Sequence, residues 1–452
     1  VLKVSTVEHD GCVLNIIPPE HSLSEENTCT VIIGKNGVGK SRILTSIAKA
    51  GVKQAEFNRI ADDYPDYEPL VIAISTSPFD KFPTPLRSKK KDCGSYRYIG
   101  MRGEGMFSPS SAISLISSAS RGLLNKILHE NINVNFLEVF KALSFFPKID
   151  FVFKPAFFKT DPFNDDHRLR HDRYFDVATA DGESRFLVDS RYENIFRELS
   201  TEEKSDLAYA ISNVSNFFNE RKAFVLAVDF HSNLVLLHNQ VAHPHIINSI
   251  LMLMNFGLVR LMDVILHKID YGELSLKKAS SGEQCLIVLM LGIAGHIRDG
   301  SLVLIDEPEI SLHPRWQEKF MPLMMSSFSK YKNCQFIVAT HSPQIVARMG
   351  GNQSFILSLP RNNLHHAKEF YRKSADFQLA ELFDSPGLMN EYISRIGFNL
   401  IAKIRSRELI DDEIESDFSK LIDLKVNLTG DDPVMNLIAS IEELRHYYAN
   451  NK

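Results

Sequence analysis

TVIIGKNGVGKS, residues 30–41, decides how the rest of the chain is read. Thr30, Val31, Ile32 and Ile33 form a β-branched, largely apolar run, the pattern of a buried strand, and RILTSIAKA after Ser41 has helical periodicity. Between them Gly34, Gly39, Lys40 and Ser41 satisfy the spacing G-x-x-x-x-G-K-[ST]. Glycines let a chain wrap so that successive N–H groups face a phosphate, and the following helix adds its positive end. The predicted cradle is Gly34, Lys35, Asn36, Gly37, Val38, Gly39, Lys40, Ser41 and Arg42. Lys40 is placed on the β- and γ-phosphates and the Ser41 hydroxyl on Mg²⁺, so the implied cofactors are ATP and Mg²⁺. A chance match in a glycine-rich turn is the alternative, and strand, loop and helix in that order weigh against it.

The whole chain sets limits on that site. At 452 residues it is long enough for two or three domain-sized units. A net charge of -5 leaves no overall footprint for nucleic acid, so any such contact needs a local patch. Cys12, Cys29, Cys93, Cys285 and Cys334 show no metal-ligand spacing, and scattered thiols fit a reducing compartment. The most apolar stretch, 246–266, is interrupted by Asn248, Asn255, Arg260 and Asp263, which argues against a membrane span. No secretory leader is legible in the opening residues, and the expected location is cytoplasmic.

Three further pieces lie downstream. SLVLIDEPE (301–309) is an apolar strand ending in adjacent acids: Asp306 is read as the metal-shell residue and Glu307 as the general base for an attacking water. SSGEQ (280–284) opens a very apolar helix. QFIVATHSPQI (335–345) is a buried strand ending at His341. Taken singly, these are a capped strand end, an N-cap and a structural histidine. Their order after a phosphate loop is what points to chemistry.

That order resembles the ABC-type ATPase head, in which the serine-glycine signature lies across a dimer interface from the phosphate loop. The resemblance implies an α/β fold, a P-loop head of mixed β-sheet flanked by helices. It further implies that Ser280, Ser281, Gly282 and Glu283 complete a second subunit's site, that His341 contacts the γ-phosphate, and that 311–313 of EISLHP crosses the dimer seam. One departure stands out. Such heads carry a glutamine after an intervening strand, whereas LVIAISTSPFDKF (70–82) offers Ser75, Thr76 and Ser77, which makes slow or partner-gated turnover an expectation.

The stretch 42–279 holds no sustained heptad, so no long coiled coil is expected. Helical patterns cover about 111–128, 136–142 and a pair near 193–220. AFVLAVDFHSNLVLL (223–237) reads as a hairpin, and another strand, turn and return spans 258–276. Two basic segments are candidate nucleic-acid contacts, or simply solvated loops: Arg87, Lys89, Lys90, Lys91, Arg97 and Arg102 with Tyr96 and Tyr98, and Arg168, Arg170 and Arg173. The tail reads as helices, with no TOPRIM-type nuclease acids. Its acidic run, Asp411, Asp412, Glu413, Glu415 and Asp417, reads more simply as a helix start than as a metal site. The domains expected are 1–100 and 223–358 as two parts of the head, 101–222 as a mostly helical insert, and 359–452 as a helical region that docks a partner.

VIIGKNGVGKS, ISTSPFDKF, SSGEQ, LIDEPEISLHP and ATHSPQI together are similar to stand-alone SMC/OLD-like ATPases of bacterial antiphage systems. FDSPGLMNEYISRIG and DDPVMNLI look most like the ATPase subunit of Septu systems and Septu-type retrons. The resemblance implies a homodimer or higher oligomer, an HNH-type nuclease partner and, in a retron, a reverse transcriptase with its DNA–RNA product. Two other readings compete: a repair-type ATPase gripping DNA through the basic loops, and an ATP-binding scaffold with incidental hydrolysis.

Overall fold

The computed structural model describes residues 3–22, 24–61, 70–77, 79–83, 95–100, 112–129, 136–159, 173–179, 184–217, 223–359 and 361–450. The chain divides into two compact units, Val1–Pro65 with Leu304–Pro322 and Asn333–Lys452, and Asp66–Val303 with Leu323–Lys332. SSGEQ therefore falls in the second unit, the phosphate loop and QFIVATHSPQI fall in the first, and SLVLIDEPE is divided at Leu304, with its acids in the first.

The first unit is organised around Thr28–Ile33, whose six residues are all buried. It pairs in parallel with Gln335–Thr340 on one side and Ser354–Ser358 on the other. Ser354–Ser358 pairs antiparallel with Asn363–His366, which makes the sheet mixed. The strand ending at Asp306 lies beyond Gln335–Thr340. A strand covered on both faces needs an unbroken run of strand-forming residues, as TCTVII supplies. Of its two buried threonines, Thr30 is satisfied, its Oγ1 donating to the Ile16 carbonyl at 2.8 Å, while the Thr28 hydroxyl has no hydrogen-bond partner among the described residues. Gln335 imitates a strand by accepting from the Val4 amide at 2.8 Å and donating to its carbonyl at 2.9 Å. Helix Lys40–Ala61 packs on this sheet at Gln335–Thr340.

The tail of this unit folds as helices Glu391–Arg407, Asp412–Lys425 and Pro433–Asn450, sharing a core that includes Ile393, Leu400, Ile414, Leu421, Ile438 and Ile441. The acidic run does what a helix start asks of it. Asp411 caps the second helix by accepting from the Ile414 amide at 2.9 Å, and Asp412, Glu413 and Glu415 occupy its first turn. Lys403 then holds Glu413 and Asp417 at 2.6 and 2.7 Å, and Arg445 holds Glu415. No grouping of acids, histidines or cysteines suited to a metal occurs among the described residues. None of the described helices is long and apolar enough to cross a membrane.

The second unit carries an antiparallel six-stranded sheet, ordered Gln240–Val241, Leu234–Leu237, Phe224–Asp229, Phe145–Pro155, Val259–Lys268 and Gly272–Ser275. Both expected hairpins are there. The expected helices also form, as Ala112–His129, Phe136–Ala142, Glu193–Glu198 and Thr201–Ser215. The insert is nevertheless less helical than expected, because Phe145–Pro155, Phe157–Lys159, Tyr174–Ala178 and Arg185–Asp189 are strands. In FFPKIDFVFKP the period is two, with Ile149, Phe151 and Phe153 buried, which is the alternation of a strand rather than the period of a helix.

Helix Ser281–Ala294 is clamped at its far end. A Cβ on Gly295 would stand 2.5 Å from the Leu123 amide nitrogen, so helix Ala112–His129 approaches as only glycine permits. His296 faces Gly122 in the same way, and Lys126 donates to the Ile297 carbonyl. Desolvation first, then the Arg97, Lys126 and Arg298 cations, push the His296 imidazole from 6.5 down to about 3. The unfolded chain therefore takes up a proton that the folded chain refuses. This contribution to stability is complete above pH 6.5 and drains away as pH falls toward 3. Chemical denaturation across that range should show a shallower loss of stability for His296→Gln than for wild type; parallel curves would contradict the assignment.

Candidate functional site

Three of the motif pieces meet in the first unit. The phosphate loop leaves Thr28–Ile33 at Gly34, where a Cβ would press on the Val38 side chain at 2.9 Å and the Leu359 carbonyl at 3.1 Å. Gly37 and Gly39 adopt φ of +83° and +97°, which a β-carbon makes costly, so the motif's glycines are spent on the curvature of the loop. Lys35, Asn36 and Gly37 are exposed and Val38 and Gly39 half-buried. Arg42 lies beside the loop, 3.4 Å from Asp10 on the tip of the hairpin Thr6–His9 and Cys12–Asn15.

Lys40 is only 4% exposed, and its ammonium donates to the Gly34 and Lys35 carbonyls at 2.9 and 3.1 Å. Burial lowers its pKa, against the opposing pull of Glu307, Glu309 and Asp306. A cation held in the mouth of a loop of backbone N–H groups suits a polyphosphate. The Ser41 hydroxyl donates to Asp306 Oδ1 at 3.2 Å, bringing together residues 265 positions apart. Asp306 is 2% exposed at the end of Leu302–Asp306. A hydroxyl and a carboxylate side by side are the hard oxygen donors Mg²⁺ takes, so the residues fit that ion.

The chain then turns sharply. Glu307 has φ +47° and ψ +57°, left-handed values rare outside glycine, asparagine and aspartate, and its amide donates to the Ala339 carbonyl at 2.9 Å. The Glu307 carboxylate is half-buried and lies 3.8 Å from His341 Nδ1. The two predicted chemical residues are thus brought together, beyond hydrogen-bond reach of each other. Nearer to the ring is Glu309, whose Oε1 stands 3.1 Å from the same Nδ1 and accepts from the His341 amide at 2.6 Å. Sequence reasoning overlooked Glu309. Its only signal was a second acid in DEPE, too close to a proline-led turn to be separated from an ordinary helix start. The loop after His341 is fixed by Ser342, which donates to Gln317 Oε1 at 2.6 Å. Of residues 311–313, Leu312 is buried, while His313 is exposed and accepts from the Arg315 amide.

The signature residues form a tight start to helix Ser281–Ala294 in the second unit. Ser280 is the N-cap, and with Glu283 it makes a reciprocal capping box. Lys268 on the adjoining strand donates to Glu283 at 3.0 Å. Burial by itself would raise the Glu283 pKa, but hydrogen bonds from Ser280 and Lys268 outweigh it and hold the carboxyl below its usual range. Ser281 is exposed at the helix N-terminus and Gly282 is buried behind it. In the same unit Ser75 and Ser77 spend their hydroxyls on the amides of Ser77 and Phe79, closing their own turn.

Arg87, Lys89, Lys90, Lys91, Arg102, Arg168 and Arg170 lie outside the described residues. Tyr96 and Tyr98, grouped with those basic residues as a candidate nucleic-acid contact or a solvated loop, are buried on the strand Tyr96–Gly100, and Tyr98 donates to Asp80 at 2.7 Å. Their period-two spacing is that of a strand's inner face.

Residues 149–347 match a family described as "AAA domain, putative AbiEii toxin, Type IV TA system". That match takes in the signature, the Asp306–Glu307 pair and His341, and begins well after the phosphate loop. The chain is similar to the "Retron Ec83 probable ATPase" of Escherichia coli, at 35% identity over 107 residues, 21% of this chain and 19% of that protein. It is similar to the "Retron Vc95 probable ATPase" of Vibrio cholerae serotype O1 biovar El Tor, at 32% over 97 residues, 19% of this chain and 18% of the relative. The "Septu protein PtuA" of Bacillus thuringiensis shares 25% identity over 183 residues, 37% of this chain and 45% of its own length. The chain thus spans less than half the length of each of these relatives.

Ser280→Ala should cost about 1 kcal/mol of stability, the usual worth of an N-cap. Urea denaturation checks this; an unchanged midpoint would mean that the capping box carries no load.

Proposed function

We propose that this chain is an ABC-type ATPase that dimerises around ATP through composite sites and gates a separate nuclease in antiphage defence of the Septu or retron type. The observation that carries the reading is the Ser41–Asp306 contact, which joins the phosphate loop to the paired acids with Lys40 buried between loop carbonyls. The similarity to retron and Septu ATPases supports the setting. With ATP bound, loop amides and Lys40 would hold the β- and γ-phosphates, and Ser41 and Asp306 would hold Mg²⁺, which would supply neutralisation of developing charge. Glu307 takes a proton from the attacking water, and His341 contacts the γ-phosphate; the products are ADP and phosphate. Ser280, Ser281, Gly282 and Glu283 of a second copy close the site, with a helix N-terminus as donor array. Residues 359–452 dock the nuclease, of HNH type, and in a retron the assembly includes a reverse transcriptase with its DNA–RNA product. Burial of Tyr96 and Tyr98 removes part of the case for the DNA-gripping alternative.

Lys40→Ala should abolish ATP binding, whereas Glu307→Gln should bind ATP, stall hydrolysis and accumulate a dimer that does not come apart. Equilibrium titration and light scattering read both effects; wild-type hydrolysis by Glu307→Gln would refute its role as base. Neither a Lys40 variant nor a Gly282 variant should be active alone. Mixing the two should restore about a quarter to a half of the activity, because shared sites pair one intact loop with one intact signature. No recovery on mixing would argue that each chain completes its own site.

A further inference from the structure

DEPE carries two glutamates, and the structure gives them different neighbours. The left-handed backbone at Glu307 throws the chain into the short turn Pro308–Ser311, which swings Glu309 back toward the end of Gln335–Thr340. Glu309 is 6% exposed. Its Oε1 accepts from the His341 amide at 2.6 Å and stands 3.1 Å from His341 Nδ1, while its Oε2 is buried with no hydrogen-bond partner among the described residues.

A buried carboxylate with one unpartnered oxygen is costly, so its presence here needs an explanation beyond the His341 backbone amide. Part of it is Lys40, whose ammonium feels Glu309 as a favourable neighbour. The rest is the imidazole. An acceptor oxygen beside Nδ1 favours the ring tautomer with its proton on that nitrogen, which leaves Nε2 to face a ligand. Glu307, at 3.8 Å from the same nitrogen, is too far to share this task and stays available for a water.

We infer that Glu309 is a positioning residue for hydrolysis: its carboxylate accepts from the backbone amide of His341, stands against Nδ1, and so aims Nε2 at the γ-phosphate. The inference rests on reading His341 as the γ-phosphate contact. A histidine whose outer nitrogen is held by an acid has its orientation set before ligand arrives, and loss of such a support typically costs about ten- to a hundredfold in function.

The test is steady-state ATP hydrolysis by the full chain as wild type, Glu309→Leu, Glu309→Gln, His341→Ala and the double variant Glu309→Leu with His341→Ala. Glu309→Leu removes the acceptor at both contacts, and its kcat should fall about tenfold or more with KM for ATP near wild type. Glu309→Gln, which puts an acceptor oxygen back at both contacts, should recover most of that loss. In the His341→Ala background Glu309→Leu should change kcat by less than about twofold, because residues acting as a unit are not additive. Wild-type kcat in Glu309→Leu overturns the inference, and so does an equal loss in both backgrounds, which would place the action of Glu309 elsewhere. A rise in KM with kcat unchanged overturns it too, as that marks a ground-state binding role. A wild-type chain that does not hydrolyse ATP at all is a different result: it refutes the proposed function and this inference with it.

Discussion

The parallel pairing of Thr28–Ile33 with Gln335–Thr340 is the constraint on which the candidate site depends. The phosphate loop leaves one of these strands and His341 follows the other, so their register sets the distance between loop and histidine. Thr340 pairs with Ile33, which brings both departures to the same edge of the sheet. Side-chain ties reinforce the pairing. The Gln335 amide clips the chain at Val4, and the Asn27 side chain accepts from the Cys334 amide at 2.9 Å. Such a sheet closes only when residues some 300 positions apart are together, so loop-closure entropy must be met before any contact repays it.

Charge is arranged around that edge with little solvent to screen it. Lys40, Asp306 and Glu309 are all buried, and burial of an isolated charge is prohibitive unless partners are at hand. Here one cation serves several acids: Glu307, Glu309 and Asp306 all favour the charged form of Lys40. Each acid also has a local task. Asp306 meets Ser41, Glu309 meets His341, and Glu307 keeps its carboxylate half-exposed. The strain at Glu307 belongs to the same economy, since a left-handed residue at that point is what sends successive acids in different directions. The signature helix is prepared in a comparable way, with Glu283 fastened to Ser280 and Lys268 at one end and glycine packing at the other.

Much of this was legible along the chain, because caps, glycine turns and amphipathic periods act over a few residues. GKNGVGKS declared its loop through glycines that turn out to need positive φ at Gly37 and Gly39. Ser280 with Glu283 declared a helix start, and the acids after Asp411 declared another. The hairpin around His231, Ser232 and Asn233 was equally plain, with Asn233 at φ +55°. Where reading failed, two local patterns competed. FFPKIDFVFKP lies just after a short helix, and its alternation was outweighed by the helical segments around it. The basic residues around Tyr96 and Tyr98 mask a spacing that marks the inner face of a strand.

The sequence by itself determined which segments become strand, loop and helix around the phosphate site, and which residue types line it. Local hydrogen bonding and local periodicity suffice for that. Only the tertiary structure decided that Ser41 would meet Asp306, that Glu309 rather than Glu307 would take hold of His341, and that the aromatic pair beside the basic run would be core. These outcomes depend on strand register and on the direction of one strained turn. Both are set by burial shared between distant segments, which no short window of sequence contains.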